Sequence, residues 1–126
     1  MAKPFVKWAG GKSQLINIID EKIGDLRQNS KEFIYVEPFV GGGSVLFHLL
    51  ETCSNMKYAV INDANEQLMN VYKVIADDQK YLEFKEHLYQ IQTSYNNDPM
   101  KKEKYILYRY QYNHWIKGEL LMSDAW

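Results

Sequence analysis

Two acidic residues follow two β-rich runs of the sequence. Glu37 comes directly after the apolar residues 33–36, and Asp63 comes directly after residues 60–62. The carboxyl ends of neighbouring parallel strands meet at one edge of a sheet, where open α/β folds bind their ligands. A carboxylate accepts two hydrogen bonds at once, which suits the 2′ and 3′ hydroxyls of a ribose. We therefore predict that Asp63 binds a nucleoside and that Glu37 faces a cationic group of the same ligand.

Three consecutive glycines, Gly41 to Gly43, separate the first of these runs from a stretch of helix-forming length. A strand, a glycine turn and a helix together bring backbone N–H groups close to a bound ligand, because glycine has no Cβ to block the approach. Glycines between a strand and a helix are also ordinary turn chemistry. Asp63 and Glu66 likewise resemble a helix cap and its partner. These patterns alone leave both interpretations open.

A third motif lies near the N-terminus, over residues 7–13, and contains Trp8, Gly11, Lys12 and Ser13. Trp8 offers an aromatic face and Lys12 offers a positive charge. The end of this motif matches a phosphate-binding loop, but the first glycine of that loop would fall at Val6. The dinucleotide-binding fingerprint fails similarly, because its last glycine would fall at Leu46.

The hydrophobic spacing predicts an α/β chain whose two strands are parallel and joined by a right-handed helical crossover. The predicted elements are a helix capped by Ser13, a polar connection over 24–31, a strand over 33–39, a helix from 44 to about 52, a strand over 58–62, and helices over 63–78, 81–95 and 100–115.

Composition sets broad limits on the class of protein. The chain has 126 residues, 46% of them hydrophobic, which is enough for one modest folded domain. The formal net charge of −1 neither favours nor excludes nucleic acid. A single cysteine, Cys53, rules out an internal disulfide framework and is expected to be buried. No signal peptide or long apolar run is present, so we expect a soluble, cytoplasmic protein.

Residues 4–15, 35–47 and 60–68 resemble three motifs of the Dam-type, D12 class DNA adenine-N6 methyltransferases. The resemblance implies the cofactor S-adenosylmethionine and the substrate double-stranded DNA. It implies that residues 1–78 are the cofactor-binding part of an incomplete Rossmann-like sheet and that residues 79–126 begin a target-recognition domain. The site residues that it implies are Trp8, Lys12 and Asp63 for holding the cofactor, Glu37, Phe39, Gly41 and Gly43 for shaping the same pocket, and Lys7 for reaching DNA. Trp8 could instead be an ordinary core aromatic.

The catalytic motif of this family, Asp-Pro-Pro-Tyr, does not occur in the chain, whose three prolines are Pro4, Pro38 and Pro99. We therefore expect an N-terminal portion of a longer enzyme, with no catalytic residue of its own and no activity alone. A half-built sheet also predicts self-association. Residues 100–117 carry five basic side chains against Glu103, which suits phosphate binding or a solvated helix face. The remaining alternatives are a non-catalytic nucleotide-binding module and a phosphate-loop nucleotide triphosphatase.

Overall fold

The computed structural model describes residues 4–28 and 31–119. Within these ranges the chain is a mixed α/β structure with a short 3₁₀ helix, two parallel strands and six α-helices. In chain order the elements are the 3₁₀ helix Lys12–Leu15, α1 Ile16–Lys22, α2 Gly24–Gln28, β1 Phe33–Glu37, α3 Ser44–Thr52, β2 Met56–Ile61, α4 Glu66–Ile75, α5 Asp78–Asn96 and α6 Lys101–Ile116. The chain divides into two compact units, Met1–Lys73 and Val74–Trp126.

The two strands pair in parallel, with Tyr35 opposite Ala59 and Glu37 opposite Ile61, as the sequence predicted. Residues alternate between the faces of a strand, so Tyr35 and Glu37 lie on the covered face of β1. The opposite face, which we call the open sheet face, carries large apolar side chains that are 55–62% exposed. These side chains are Ile34, Val36, Tyr58 and Val60.

The covered face of the sheet packs against α3 and α4 through two small hydrophobic clusters. One cluster contains Val40, Leu46, Leu68 and Tyr72, and the other contains Val45, Leu49 and Cys53. Cys53 is buried, as the sequence predicted. Full burial of one such aliphatic or aromatic side chain is worth about 1.5–3 kcal/mol. The first cluster therefore fixes α3 and α4 near the end of the sheet where Glu37 lies, and the second packs α3 against the beginning of β1 and β2.

The segment before β1 differs from its prediction. Of residues 24–31, expected to be a polar connection, residues 24–28 form α2 and residues 29–30 lie outside the described residues. Ser13 lies inside the 3₁₀ helix instead of capping a helix. The reason is tertiary: the guanidinium of Arg27 donates hydrogen bonds to the Asp20 carboxylate and, over 3.0 Å, to the Thr52 hydroxyl. His48 lies 2.7 Å from the same Asp20 carboxylate. These contacts hold α2 against α1 and α3.

The boundaries of the central elements also shift. β1 ends at Glu37, not at residue 39, and α4 begins at Glu66, not at Asp63. The Oδ1 atom of Asn65 accepts the backbone N–H of Leu68 over 2.8 Å, so Asn65 caps this helix. The capping role that the sequence left open for Asp63 therefore belongs to Asn65, and the Asp63 side chain makes other bonds.

The second unit contains the helices α5 and α6, joined by residues 97–100. Asp77 caps α5 by accepting the N–H of Lys80 over 3.0 Å. The ammonium group of Lys104 on α6 lies 3.1 Å from the Asp98 carboxylate and 2.9 Å from the Ser94 hydroxyl, which ties the two helices together. No helix within the described ranges is both long and apolar enough to cross a membrane.

Candidate functional site

An open pocket of about 190 Å³ lies where β1 and β2 end, facing the turn that precedes the 3₁₀ helix. Six of the predicted site residues line it, namely Trp8, Lys12, Glu37, Phe39, Gly41 and Asp63. The other lining residues are Ala9, Gly10, Gly11, Val40, Gly42, Ser44 and Val45. Three separate sequence motifs therefore meet at one edge of the sheet.

Lys12 and Glu37 form an ion pair inside this pocket. The Nζ atom of Lys12 lies 3.1 Å from Oε1 of Glu37 and also donates to the carbonyl of Phe39. The Glu37 side chain is only 7% exposed. Burying an unpaired carboxylate costs several kcal/mol of folding free energy. The positive charge of Lys12 offsets that penalty.

Tyr35 completes the hydrogen bonding of Glu37. Its hydroxyl donates to Oε2 over 2.7 Å, so each carboxylate oxygen of Glu37 has a partner. Burial, the hydrogen bond to Glu37 and the charge of Glu37 raise the pKa of the Tyr35 phenol, which therefore stays protonated and remains a donor. The Glu37 side chain is thus held at both oxygens, in one orientation.

Asp63 connects the end of β2 to the glycine turn. Its Oδ2 atom accepts the backbone N–H of Gly41 over 2.9 Å, and its Oδ1 atom accepts the N–H of Asn65 over 3.0 Å. The hydrogen bonds from Asn65 and Gly41 hold the pKa of Asp63 below its ordinary value of 3.8. The group is therefore an anion at neutral pH, and each oxygen keeps a second lone pair that can accept a hydrogen bond from a ligand.

The glycine turn is shaped by its close neighbours. Gly41 has a φ of +52°, and a Cβ at this position would lie 2.9 Å from the Cδ1 atom of the Trp8 indole. Gly43 is also left-handed, with a φ of +79°, but it does not line the pocket. It precedes α3 and lies against Tyr72 and Phe47. Gly43 therefore contributes to the shape of the pocket only indirectly, by letting the glycine turn pack against these two rings.

The remaining predicted site residue, Lys7, is exposed beside Trp8 and does not line the pocket. Three residues that the sequence analysis missed lie behind the pocket and form hydrogen bonds with residues that line it: Tyr35, Asn65 and Tyr72. The two-residue spacing of Tyr35 and Glu37 on one strand could have revealed the first, because such residues share a face. No local pattern points to Tyr72, whose contact with the glycine turn is made only on folding.

The chemistry of the pocket follows from these groups. It presents an anionic acceptor, an ion pair and two partly exposed aromatic rings, Trp8 at 39% and Phe39 at 70%. This set suits a ligand with a diol, a zwitterion and a flat or cationic apolar part. Among the residues that the structure describes, no cluster of three or more His, Cys, Asp or Glu side chains could hold a metal ion.

Comparison with known proteins identifies related sequences. Over residues 8–121 the chain matches the family model described as D12 class N6 adenine-specific DNA methyltransferase. It is 47% identical over 76 residues to the Type II methyltransferase M.MjaIII of Methanocaldococcus jannaschii, a match that covers 60% of this chain and 26% of that protein. It is 33% identical over 73 residues to a DNA adenine methylase of Haemophilus influenzae, with 58% of this chain and 22% of the relative covered.

A longer but more distant match is to a DNA adenine methylase of Vibrio cholerae, at 27% identity over 111 residues, covering 88% of this chain and 34% of that protein. The chain thus spans between 22% and 34% of the length of these three relatives. No solved structure gives a significant match.

Proposed function

Because the chain belongs to the D12 class of N6 adenine-specific DNA methyltransferases, we propose that its pocket binds S-adenosylmethionine. The whole enzyme would then transfer the methyl group to the N6 atom of adenine in double-stranded DNA. Under this proposal, β1, the glycine turn, α3 and β2 are the first β-α-β unit of a Rossmann-like methyltransferase sheet. The observation that carries the proposal is the convergence of Trp8, Lys12, Glu37 and Asp63 on one pocket.

The pocket offers a partner for each part of this cofactor. Asp63 accepts the two ribose hydroxyls with the free lone pairs of its carboxylate. Lys12 and Glu37, which lie 3.1 Å apart, provide opposite charges for the carboxylate and the ammonium of the methionine part. The Trp8 and Phe39 rings cover the adenine or the sulfonium. The buried carboxylate of Glu37 beside Lys12 also disfavours a triphosphate, whose charge it would repel.

We predict that the 126-residue chain binds S-adenosylhomocysteine and does not bind ATP, as measured by isothermal titration calorimetry. Methylthioadenosine, which has the nucleoside but no amino-acid end, should bind at least about tenfold more weakly, a difference of about 1.4 kcal/mol. Replacing Lys12 by methionine should reduce this difference, because Glu37 is then the only partner left for the amino-acid end of the ligand. Tighter binding of ATP would favour the phosphate-loop alternative, and binding of neither ligand would overturn the proposal.

We further propose that this chain does not methylate DNA by itself. The N6 amino group of adenine is a weak nucleophile, since its lone pair is delocalised into the ring, and the Asp-Pro-Pro-Tyr motif that assists its attack in this family is not in the sequence. Incubation with S-adenosylmethionine carrying a labelled methyl group and adenine-containing duplex DNA should leave no label in the DNA. Incorporation above a reaction without protein would contradict this prediction. Continued binding of S-adenosylhomocysteine in the same preparation would distinguish a missing catalytic motif from a misfolded chain.

The open sheet face is the basis for a further proposal, self-association of this chain. Ile34, Val36, Tyr58 and Val60 present a continuous apolar surface to solvent. Light scattering should therefore give a mass above that of one chain, and Val36→Lys should lower it by placing a charge in the contact. Leu82→Lys, a matched change at an exposed position of α5, should not lower it. A monomeric wild-type chain would contradict the proposal.

DNA contact is proposed for Lys7 and for the basic side chains of the unit that contains α5 and α6, which we interpret as the beginning of a target-recognition domain. Lys101, Lys102 and Lys117 are exposed there, and positive charges of this kind bind phosphates. Lys104 is engaged with Asp98 and Ser94. Fluorescence anisotropy with a labelled DNA duplex tests this assignment: affinity unchanged in Lys7→Ala and in a Lys101→Ala, Lys102→Ala chain would contradict it.

A further inference from the structure

Tyr72 lies on α4 behind the glycine turn and outside the pocket. Its side chain is almost fully buried, with 7% of the residue exposed, and its ring packs edge-on against Phe5 at 5.1 Å between centroids. Its hydroxyl donates to the backbone carbonyl of Gly41 over 2.9 Å. Burial, followed by the charges of Glu37 and Asp63, raises the pKa of Tyr72 to about 12, so the phenol remains a donor.

This hydrogen bond acts on the same residue as Asp63. The N–H of Gly41 donates to Asp63, and the carbonyl of Gly41 accepts from Tyr72, so both polar backbone groups of Gly41 are held. A rotation of the backbone at Gly41 would break at least one of these bonds. The left-handed conformation of Gly41 is therefore fixed from two sides.

The two holding groups are themselves connected through α4. Asp63 accepts the N–H of Asn65, and the Asn65 side chain caps α4 at Leu68. Tyr72 follows Leu68 by four residues, which places the two side chains on the same face of the helix, in one cluster. The first turns of α4 thus form a rigid support for the glycine turn, and Trp8 in turn lies against Gly41.

We propose that Tyr72 is a positioning residue of the pocket, whose hydroxyl holds Gly41 so that its N–H stays directed at Asp63 and its Cα stays under the Trp8 ring. The predicted effect of Tyr72 on ligand binding rests on the proposed cofactor function. Its predicted effect on the backbone of Gly41 does not. Tyr72 touches no ligand in this scheme. It acts through Gly41, which fixes the orientation of the Asp63 carboxylate and the position of the Trp8 indole.

The test compares Tyr72→Phe with wild type in two measurements. The variant keeps the ring and its contact with Phe5, so only the hydroxyl is removed. S-Adenosylhomocysteine affinity, measured by calorimetry at a temperature where circular dichroism shows both chains folded, should fall about three- to tenfold, the range set by one net hydrogen bond. In chains labelled with ¹⁵N-glycine, the Gly41 amide resonance should shift, because its bond to Asp63 changes. Tyr58→Phe, at an exposed tyrosine of β2, should change neither measurement.

Each outcome decides a separate question. Wild-type affinity and an unchanged Gly41 resonance in Tyr72→Phe would overturn the inference, as would weaker binding without any change at Gly41. A stability loss with both readouts unchanged would mean that Tyr72 only packs. If the wild-type chain binds no S-adenosylhomocysteine, the proposed function fails, while the Gly41 resonance still decides the role of Tyr72. If Tyr72→Phe does not fold, 3-fluorotyrosine at position 72 keeps the hydroxyl with a different donor strength, and an unmoved Gly41 resonance would then overturn the inference.

Discussion

Replacing Asp63 by alanine is expected to lower the affinity for S-adenosylhomocysteine by at least about 100-fold, or about 2.7 kcal/mol. Two effects add. The variant removes the charged acceptor proposed for the ribose hydroxyls, and hydrogen bonds to charged groups are worth about 1.5–3 kcal/mol each. It also leaves the N–H groups of Gly41 and Asn65 without the acceptor that they share. Calorimetric titration of both chains measures the change.

The matched control for this change is Asp77→Ala. Asp77 also accepts a backbone N–H, from Lys80, but it caps α5 in the other unit of the chain. Its replacement should weaken that helix and leave ligand affinity as in wild type. Equal affinities of wild type and Asp63→Ala, with both folded, would remove Asp63 from the proposed site.

The pH dependence of binding provides a second check on Asp63. Its pKa in the folded chain lies below 3.8, so the anion is favoured by folding. The contribution of the ionised Asp63 carboxylate to the stability of the folded chain is therefore fully present above the unfolded pKa. It is lost as the pH falls through the lower, folded pKa. We expect no loss of affinity attributable to Asp63 between about pH 8 and pH 5, since that carboxyl is ionised throughout this range. A titration midpoint near pH 6 that disappears in Asp63→Asn would contradict the assignment.

Replacing Gly43 by alanine is expected to lower the free energy of unfolding by about 2–5 kcal/mol, the sum of a left-handed backbone cost and an overpacking cost. Gly43 has a φ of +79°, and its added Cβ would lie 2.5 Å from the Tyr72 hydroxyl and 2.8 Å from the Phe47 ring. Neither neighbour is free to move, because Tyr72 is bonded to Gly41 and both rings contact Phe5. Urea denaturation followed by circular dichroism measures the loss.

Two other glycines separate the contributions to this loss. Gly10→Ala meets nothing within 4 Å but has a φ of +75°, so it should show only the backbone cost of about 1–2 kcal/mol. Gly24→Ala also meets nothing within 4 Å and has no such φ, so it should be close to neutral. Adding Tyr72→Phe to Gly43→Ala should recover part of the loss, since the closest clashing atom is then absent. Equal losses at Gly43 and Gly10 would show that packing against Tyr72 is unimportant.

Much of the fold was predictable because its signals are local. The apolar run over residues 33–36 predicts a strand, and the helix between two short strands predicts that the strands are parallel; the structure confirms the parallel pairing. The resemblance of residues 4–15, 35–47 and 60–68 to the D12 class is confirmed by the family match over residues 8–121. The roles assigned to individual pocket residues stay predictions.

Other features could not be predicted because they depend on partners far away in the sequence. Residues 24–28 form a helix since Arg27 reaches Asp20 and Thr52, and Asp63 is no helix cap since Asn65 takes that role. The sequence by itself determined that two acidic side chains, Glu37 and Asp63, stand at the ends of two neighbouring strands. Only the tertiary structure decided that Lys12 pairs with Glu37, that Tyr35 donates to Glu37 and that Tyr72 donates to Gly41. The physical reason is that hydrogen bonds between such distant residues form only once the packing of α3 and α4 on the sheet has brought them together.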